Sequence, residues 1–301
     1  MNAKATGMVL ASFAGDSLAL GAHWIYDAGR IADEFGRVEK LLAPKPGSYH
    51  PTKGKGQFTH YGDQAFVLLE SLAARKGFDL ADFAQRWQKL FDGYTGYLDK
   101  ATQGTLQNFA VGLGPESSAS FSNDLGGAAR IAPLVYALRD DPETLVAAAR
   151  AQTAMTHGDP HTIDVAELLA GAAYRIVEGS TPTDALICMA RGRFAGTPLA
   201  DWVKEGIARQ GEPSVAAVAH FGQNCHTPAA FPGVVQIVAR YETDLKEALV
   251  QNVMAGGDSA ARGMAIGMLL GAHMGEEFIP ADWVAQLERA GEIRALLGKL
   301  P

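Results

Sequence analysis

The sequence is poor in cysteine, with Cys188 and Cys225 alone among 301 residues, and that scarcity excludes a disulfide-framed secreted domain. It also lacks any run of basic residues: 26 Lys and Arg stand against 33 Asp and Glu, a formal net charge of -7. Without a cationic stripe there is nothing to track a phosphate backbone, so nucleic acid is not an expected partner, although one or two arginines could hold a small anionic ligand. Long hydrophobic runs are missing as well. The apolar stretch after Met8 is cut by Asp16 and has no basic flank, so it reads as neither a signal peptide nor a membrane span, and no membrane partner is expected. A reducing cytoplasm is the expected location. Strand-like alternation is scarce, and neither a fixed-period repeat nor a low-complexity tract is present.

What the chain does have is apolar content and helical rhythm. Hydrophobic residues make up 48% of it and charged residues 20%, enough to bury a sizeable core and to argue against disorder. Helical periodicity runs through Phe66-Val67-Leu68-Leu69-Leu72, Leu145-Val146-Ala149, Val165-Leu168-Leu169-Ala172-Ile176 and Leu245-Leu249-Val253, so the fold class expected is all-α. Pro or a capping residue precedes an apolar-periodic run at Asp141-Pro142-Glu143, Ser180-Thr181-Pro182 and Ile279-Pro280-Ala281-Asp282, each a helix-start signal. About a dozen or more helices follow from a mean length of about 11 residues. Two irregular stretches, near residues 42–59 and 112–125, are long enough to suggest functional loops. The helical pattern has the same composition on both sides of each, so a single domain spanning residues 1–301 is expected.

Four segments set polar residues where an apolar helix would not want them. In Gly15-Asp16-Ser17, the carboxylate of Asp16 falls mid-helix between Phe13 and Leu18 and must find donors, either as a structural tie or as an orienting group behind a site. Thr59-His60-Tyr61-Gly62-Asp63-Gln64 ends the first long loop and leads into an apolar helix expected to start near Ala65. Asp63 there could cap the helix, and His60 is three residues before it. The third group joins Ser122-Asn123-Asp124-Leu125-Gly126-Gly127 and Arg130 to Thr156-His157-Gly158-Asp159-Pro160-His161. Its glycines allow close backbone approach and Arg130 could meet an acid or a phosphate. His157, Asp159 and His161 are metal-ligand types, but Gly158 and Pro160 break the helix face a zinc site would use.

The fourth segment is Gly256-Gly257-Asp258-Ser259-Ala260-Ala261-Arg262-Gly263, followed by glycines at 267, 271 and 275. Glycine costs a helix about 1 kcal/mol relative to alanine, so this ridge implies close helix packing. The helix mouth is different: Asp258 suits a cation, while Ser259, Arg262 and backbone N–H groups suit a sugar hydroxyl or phosphate. Cys225 beside His226 could be a nucleophile only if the fold brought a base to it, and a small buried cysteine is the plainer reading.

These segments, in this order and spacing from Gly15-Asp16 to Trp283, resemble the ADP-ribosylglycohydrolase family and its crystallin-J1-like relatives. Arg130-Ile131-Ala132-Pro133 and residues 267–283 carry the likeness well. The resemblance implies an orthogonal multi-helix bundle, a two-magnesium centre and hydrolysis of the bond joining ADP-ribose to a protein side chain or small acceptor. On that basis Asp63, Asp258, His60 and His157 are the candidate catalytic residues. Asn123, Asp124, Arg130, Cys225, His226 and Arg262 are candidate substrate-binding residues, and Asp63, Asp258 and Ser259 candidate metal ligands. The departures fall on the metal ligands. Where the family has Asp-Thr after its first late acid, this chain has Ala260-Ala261, and Asp63 is the one acid left near the early motif, with Tyr61, Gly62 and Gln64 around it. One weakly held magnesium ion, at most, is the cofactor expected, since a hard cation wants about six oxygen ligands. Three functions stay open: a glycohydrolase acting on an ADP-ribosylated or ADP-ribose-like substrate, a binder of ADP-ribose or a nucleotide sugar without turnover, and a crystallin-like structural protein.

Overall fold

The computed structural model describes residues 3–301. Among them are seventeen α-helices, two short 3-10 helices and no strand, so the all-α expectation holds. The only sheet-like contacts there are single bridging pairs, Ser120 with His157 and Asp124 with His226.

Each periodic run falls inside a helix, namely His60–Arg75, Pro142–Ala154, Pro160–Val177 and Leu245–Met254. Asp141 and Thr181 cap their helices through the side chain, with Pro142 and Pro182 in the first turn, where a missing N–H costs nothing. One start differs from expectation. The helix expected near Ala65 begins at His60, because Thr59 is the residue whose side chain accepts from a first-turn N–H, that of Tyr61. Asp63 is thus inside the first turn and is not the cap.

Helices Ala3–Ala19 and Ser259–Met274 form the centre of the molecule, and nearly every residue of both is buried. Their glycines meet in antiparallel register. A Cβ on Gly267 would lie 2.2 Å from the Ala11 carbonyl oxygen, one on Gly271 2.5 Å from that of Gly7, and one on Gly15 2.3 Å from that of Gly263. Side chains are excluded there, and the dispersion gained by backbone contact offsets the propensity lost. The run Ala3–Ala22 is long and apolar enough to cross a membrane, but residues 5–22 are all buried in this core.

The antiparallel seam has a consequence for function. It sets the end of the first helix, with the 3-10 turn Leu20–Ala22 and His23 after it, beside the mouth of the last long helix at Asp258. Asp16, fully buried, accepts hydrogen bonds from Thr59 N at 2.8 Å and Thr59 Oγ1 at 2.5 Å. It ties the start of the His60–Arg75 helix to the same place. Burial pushes its pKa up to about 6 against those bonds.

Candidate active site

Four loops meet at this end of the bundle, and main-chain hydrogen bonds lace them together. Gly256 and Gly257 both take positive φ, 73° and 67°, and a Cβ on Gly257 would stand 2.0 Å from the Gln223 carbonyl oxygen. Glycine is required at that turn by both conformation and space. Gly257 O accepts from Trp24 N at 2.9 Å, Gly257 N donates to Ile25 O at 2.8 Å, and Asp258 N donates to Gln223 O at 2.8 Å. Cys225 O accepts from Leu125 N at 2.8 Å, and Thr227 N donates to Asn123 O at 2.8 Å. Trp24 itself has φ 63°, a left-handed conformation that costs a non-glycine residue roughly 1–3 kcal/mol and tends to be kept at functional sites.

The lacing brings Asp124, Cys225 and Asp258 together, with one ligand-type atom of each within 4.8 Å of the others. Tyr61 stands between the two acids: its hydroxyl lies 3.0 Å from Asp124 Oδ2 and 2.9 Å from Asp258 Oδ2. Each carboxylate is also oriented by the backbone, Asp124 Oδ1 accepting from Gly126 N at 2.7 Å and Asp258 Oδ1 from Ala261 N at 3.2 Å. A phenol has one proton to give, so both contacts are hydrogen bonds only when one carboxyl group carries a proton of its own. Burial, and then the neighbouring Asp258 charge, push the Asp124 pKa up to about 7. Burial raises that of Asp258 too, and burial followed by both acids raises the Cys225 thiol. The cluster is short of positive charge.

Around it stands a shell of imidazole and aromatic rings. His23, His50 and His60 are each 3% exposed or less, and the ring nitrogens of His23 and His50 make no hydrogen bond. Ring centroids of His23 and His50 are 5.2 Å apart, those of His50 and His60 5.9 Å, and Trp24 lies 4.3 Å from His23. Burial drives the pKa of His23 well below the usual value and that of His50 to about 3. His60 goes the other way: burial opposes its charge but is outweighed by Asp99, whose Oδ2 lies 3.3 Å from His60 Nε2.

The expected site residues distribute unevenly. Asp258, Asp124 and Cys225 converge, His60 packs on Tyr61 with ring centroids 3.9 Å apart, and Asn123 and His226 sit at the rim, joined through Oδ1 and Nδ1 at 2.5 Å. Asn123 and His226 line an open cleft of about 480 Å³ that also includes Lys100, Asn108 and the fully exposed Phe121. Ser259 Oγ is buried without a partner. Asp63 is a correction. It lies two residues after Tyr61, about 200° around the helix, and its carboxylate is held by Lys53 and by Tyr94 Oη at 2.5 Å in a separate cleft of about 450 Å³. Asp63 therefore does not join Asp258, either as a catalytic partner or as a shared metal ligand.

Arg130 and Arg262 are corrected as well. Arg130 donates to Gln152, Gln64 and Thr156, and Arg262 to Asn252 Oδ1, Gln223 O and Gly256 O, with both side chains fully buried. Every guanidinium nitrogen of both already has a protein partner and neither side chain reaches the surface, so they act as internal ties rather than as phosphate ligands. His157 is packed against Gly127, with Nδ1 2.8 Å from Thr156 Oγ1 and Nε2 buried without a partner. Tyr61 and His23 escaped the sequence reading. The signal for His23 was the dense His23-Trp24-Ile25-Tyr26-Asp27 run directly after the first helix.

The model of the family described as ADP-ribosylglycohydrolase matches residues 1–301. The chain belongs to the ADP-ribosylglycohydrolase family. Among its relatives are crystallin J1A of Tripedalia cystophora, 23% identical over 96% of this chain and 94% of that one, and the ADP-ribosyl-[dinitrogen reductase] glycohydrolase of Rhodospirillum rubrum, 26% identical over 95% and 90%. A solved structure described as an ADP-ribosylglycohydrolase-related protein complex superposes with a TM-score of 0.77 at 24% identity, covering 99% of this chain and 96% of the other, and supports the fold. Membership supports a glycohydrolase-type function, in a family that acts on ADP-ribosylated substrates and is typically metal-dependent.

Two magnesium ions do not fit the residues present. Magnesium demands near-octahedral oxygen ligation, whereas the cluster offers two carboxylates, a thiol and a phenol that already spans the carboxylates. Ala260 and Ala261 are buried and apolar where the family has a second acid and a hydroxyl, and Asp63 is committed to Lys53.

Proposed function

We propose that the protein is a glycohydrolase that cleaves a glycosidic bond at the ribose of an ADP-ribosylated protein or a small ADP-ribose-like substrate. The observation that carries this reading is the buried convergence of Asp124 and Asp258 on the Tyr61 hydroxyl, at the helix mouth opened by Gly256-Gly257. Departure of a group from an anomeric carbon leaves an oxocarbenium-like centre, and a pair of carboxyl groups supplies what it needs: negative charge beside the ring and an acceptor for the proton of the attacking water. Tyr61 holds both carboxyl groups in one orientation. Asn123 and His226, with Phe121 beyond them, line an open cleft beside the Asp124 loop, and this cleft is the proposed approach for the sugar.

A second reading, binding of ADP-ribose or a nucleotide sugar without turnover, is favoured by the closure of the cluster, since Asp258 is 0% and Asp124 7% exposed. One experiment separates the two. ADP-ribose release is measured from peptides ADP-ribosylated on arginine or serine and from small acceptors, alongside binding of ADP-ribose by calorimetry. Release that disappears in Asp258→Asn supports the hydrolase; binding with no release from any acceptor removes it and leaves the binder. Neither release nor binding would leave the crystallin-like, structural use of the fold.

A further inference from the structure

We infer that Asp124, Cys225 and Asp258, with the unpartnered His23 beside Asp258 and the fourth position open to water, form a site for a single zinc ion in place of the family's magnesium pair. Four observations converge on it. One ligand-type atom from each of Asp124, Cys225 and Asp258 lies within 4.8 Å of the others, and tetrahedral zinc with N, O and S ligands needs them roughly 3.5 Å apart, a closure within side-chain reach. His23 is 3% exposed, both of its ring nitrogens are without a partner, and Nε2 stands 3.9 Å from Asp258 Oδ1. A buried imidazole with nothing to bond is costly unless something occupies its lone pair.

The donor set also selects the ion. Thiolate is a soft ligand that suits zinc, while magnesium does not take it readily. The surroundings complete the site in the way metal ligands are usually supported. Both carboxylates are held by backbone N–H groups of Gly126 and Ala261, and the Cys225 loop is stitched to the Asp124 loop through Leu125 N and Cys225 O. Such outer contacts fix ligand orientation before the ion arrives. Binding displaces the thiol proton to solvent, so the sulfur enters as thiolate. Within the glycohydrolase reading, the ion would present a bound water as the attacking hydroxide. The site itself stands or falls separately from that reading.

The test uses cobalt(II), which takes zinc sites and reports its ligands by colour. Chelator-treated full-length protein is titrated with Co²⁺, with Cys188→Ser as the background so that Cys225 is the only thiol. One equivalent should produce the visible bands of a tetrahedral ion and a near-ultraviolet sulfur-to-cobalt charge-transfer band, and one equivalent of Zn²⁺ should bleach both. A large excess of Mg²⁺ should leave them unchanged. Cys225→Ser should lose the charge-transfer band, and His23→Ala should keep it while binding roughly 10–100-fold more weakly. Circular dichroism of each variant establishes that it is folded. Absence of the charge-transfer band, its persistence in Cys225→Ser, or displacement of Co²⁺ by Mg²⁺ would overturn the site. ADP-ribose release that survives chelation in a protein without the band overturns zinc and leaves the glycohydrolase intact. A protein with the band but no release does the reverse.

Discussion

Two groups of acids flank the first turn of one helix, one in an open cleft and one buried, and they are treated in opposite ways. On one side Asp63 meets Lys53 and Tyr94, a mostly buried ion pair with its charge balanced on the spot. On the other, Tyr61 reaches Asp124 and Asp258, two buried acids with Cys225 beside them and no lysine. Arg262 is near enough to oppose the rise in the Asp258 pKa, but its hydrogen bonds go to Asn252, Gln223 and Gly256. A compensated acid is at rest, and its neighbours explain it. An uncompensated pair is held by the fold against its own repulsion, and that is the mark of a place where a cation or a positively charged transition state belongs.

The sharpest break of this comparison is to remove each acid in turn. Asp258→Asn should lower the rate of ADP-ribose release by about 10²–10⁴, the usual contribution of a positioned acid or base, while Asp63→Asn should leave it near that of the parent. Equal losses measured in single-turnover assays would mean that the two groups of acids work together.

The next effect concerns Asp16, which pins Thr59 and with it the turn that carries both Tyr61 and Asp63. Its carboxyl has a pKa of about 6 in the fold against an ordinary 3.8, mainly through burial. The folded state therefore holds the proton more tightly, and stability is lost as pH rises between these values, by about 3 kcal/mol in all. Urea titrations from pH 4 to pH 7 should show that fall in the parent and a flatter profile in Asp16→Asn. Matching profiles would remove Asp16 as the shared support.

The sequence carried the fold well and the site only in part, for physical reasons. Helical periodicity and proline caps are local signals, and Leu245-Leu249-Val253 or Asp141-Pro142 announce a helix wherever they occur. The glycine ridge after Asp258 likewise foretold the close seam with the first helix. Tyr61 could not be recognised in the same way: a tyrosine ahead of an apolar helix reads as core, and its role depends on two acids 63 and 197 residues away. Asp63 misled because acids near a helix start are easily read as caps or ligands, and only the fold shows Lys53 across from it. Arg130 and Arg262 looked like phosphate partners until the loops that bury and bond their side chains were in place.

Further substitutions sharpen the contrast. Lys53→Met leaves the mostly buried Asp63 carboxylate with Tyr94 as its remaining partner and should cost about 3 kcal/mol of stability, read as a change in the urea midpoint with release unchanged. Tyr61→Phe removes the hydroxyl that both buried acids share and should cost about 1–3 kcal/mol of stability together with activity. Tyr94→Phe, whose loss Lys53 covers, should cost less and leave release unchanged. A large loss of activity in Lys53→Met would give the Asp63 cleft a part in the chemistry.

The most direct measurement is a crystal structure of the protein with ADP-ribose bound. The result expected places the anomeric carbon of the terminal ribose beside Asp124 and Asp258, within about 3–3.5 Å of a carboxyl oxygen, with Asn123 and His226 along the sugar. Ribose seated between Lys53, Asp63 and Tyr94, with the Tyr61 cluster closed behind it, would contradict the assignment of the site.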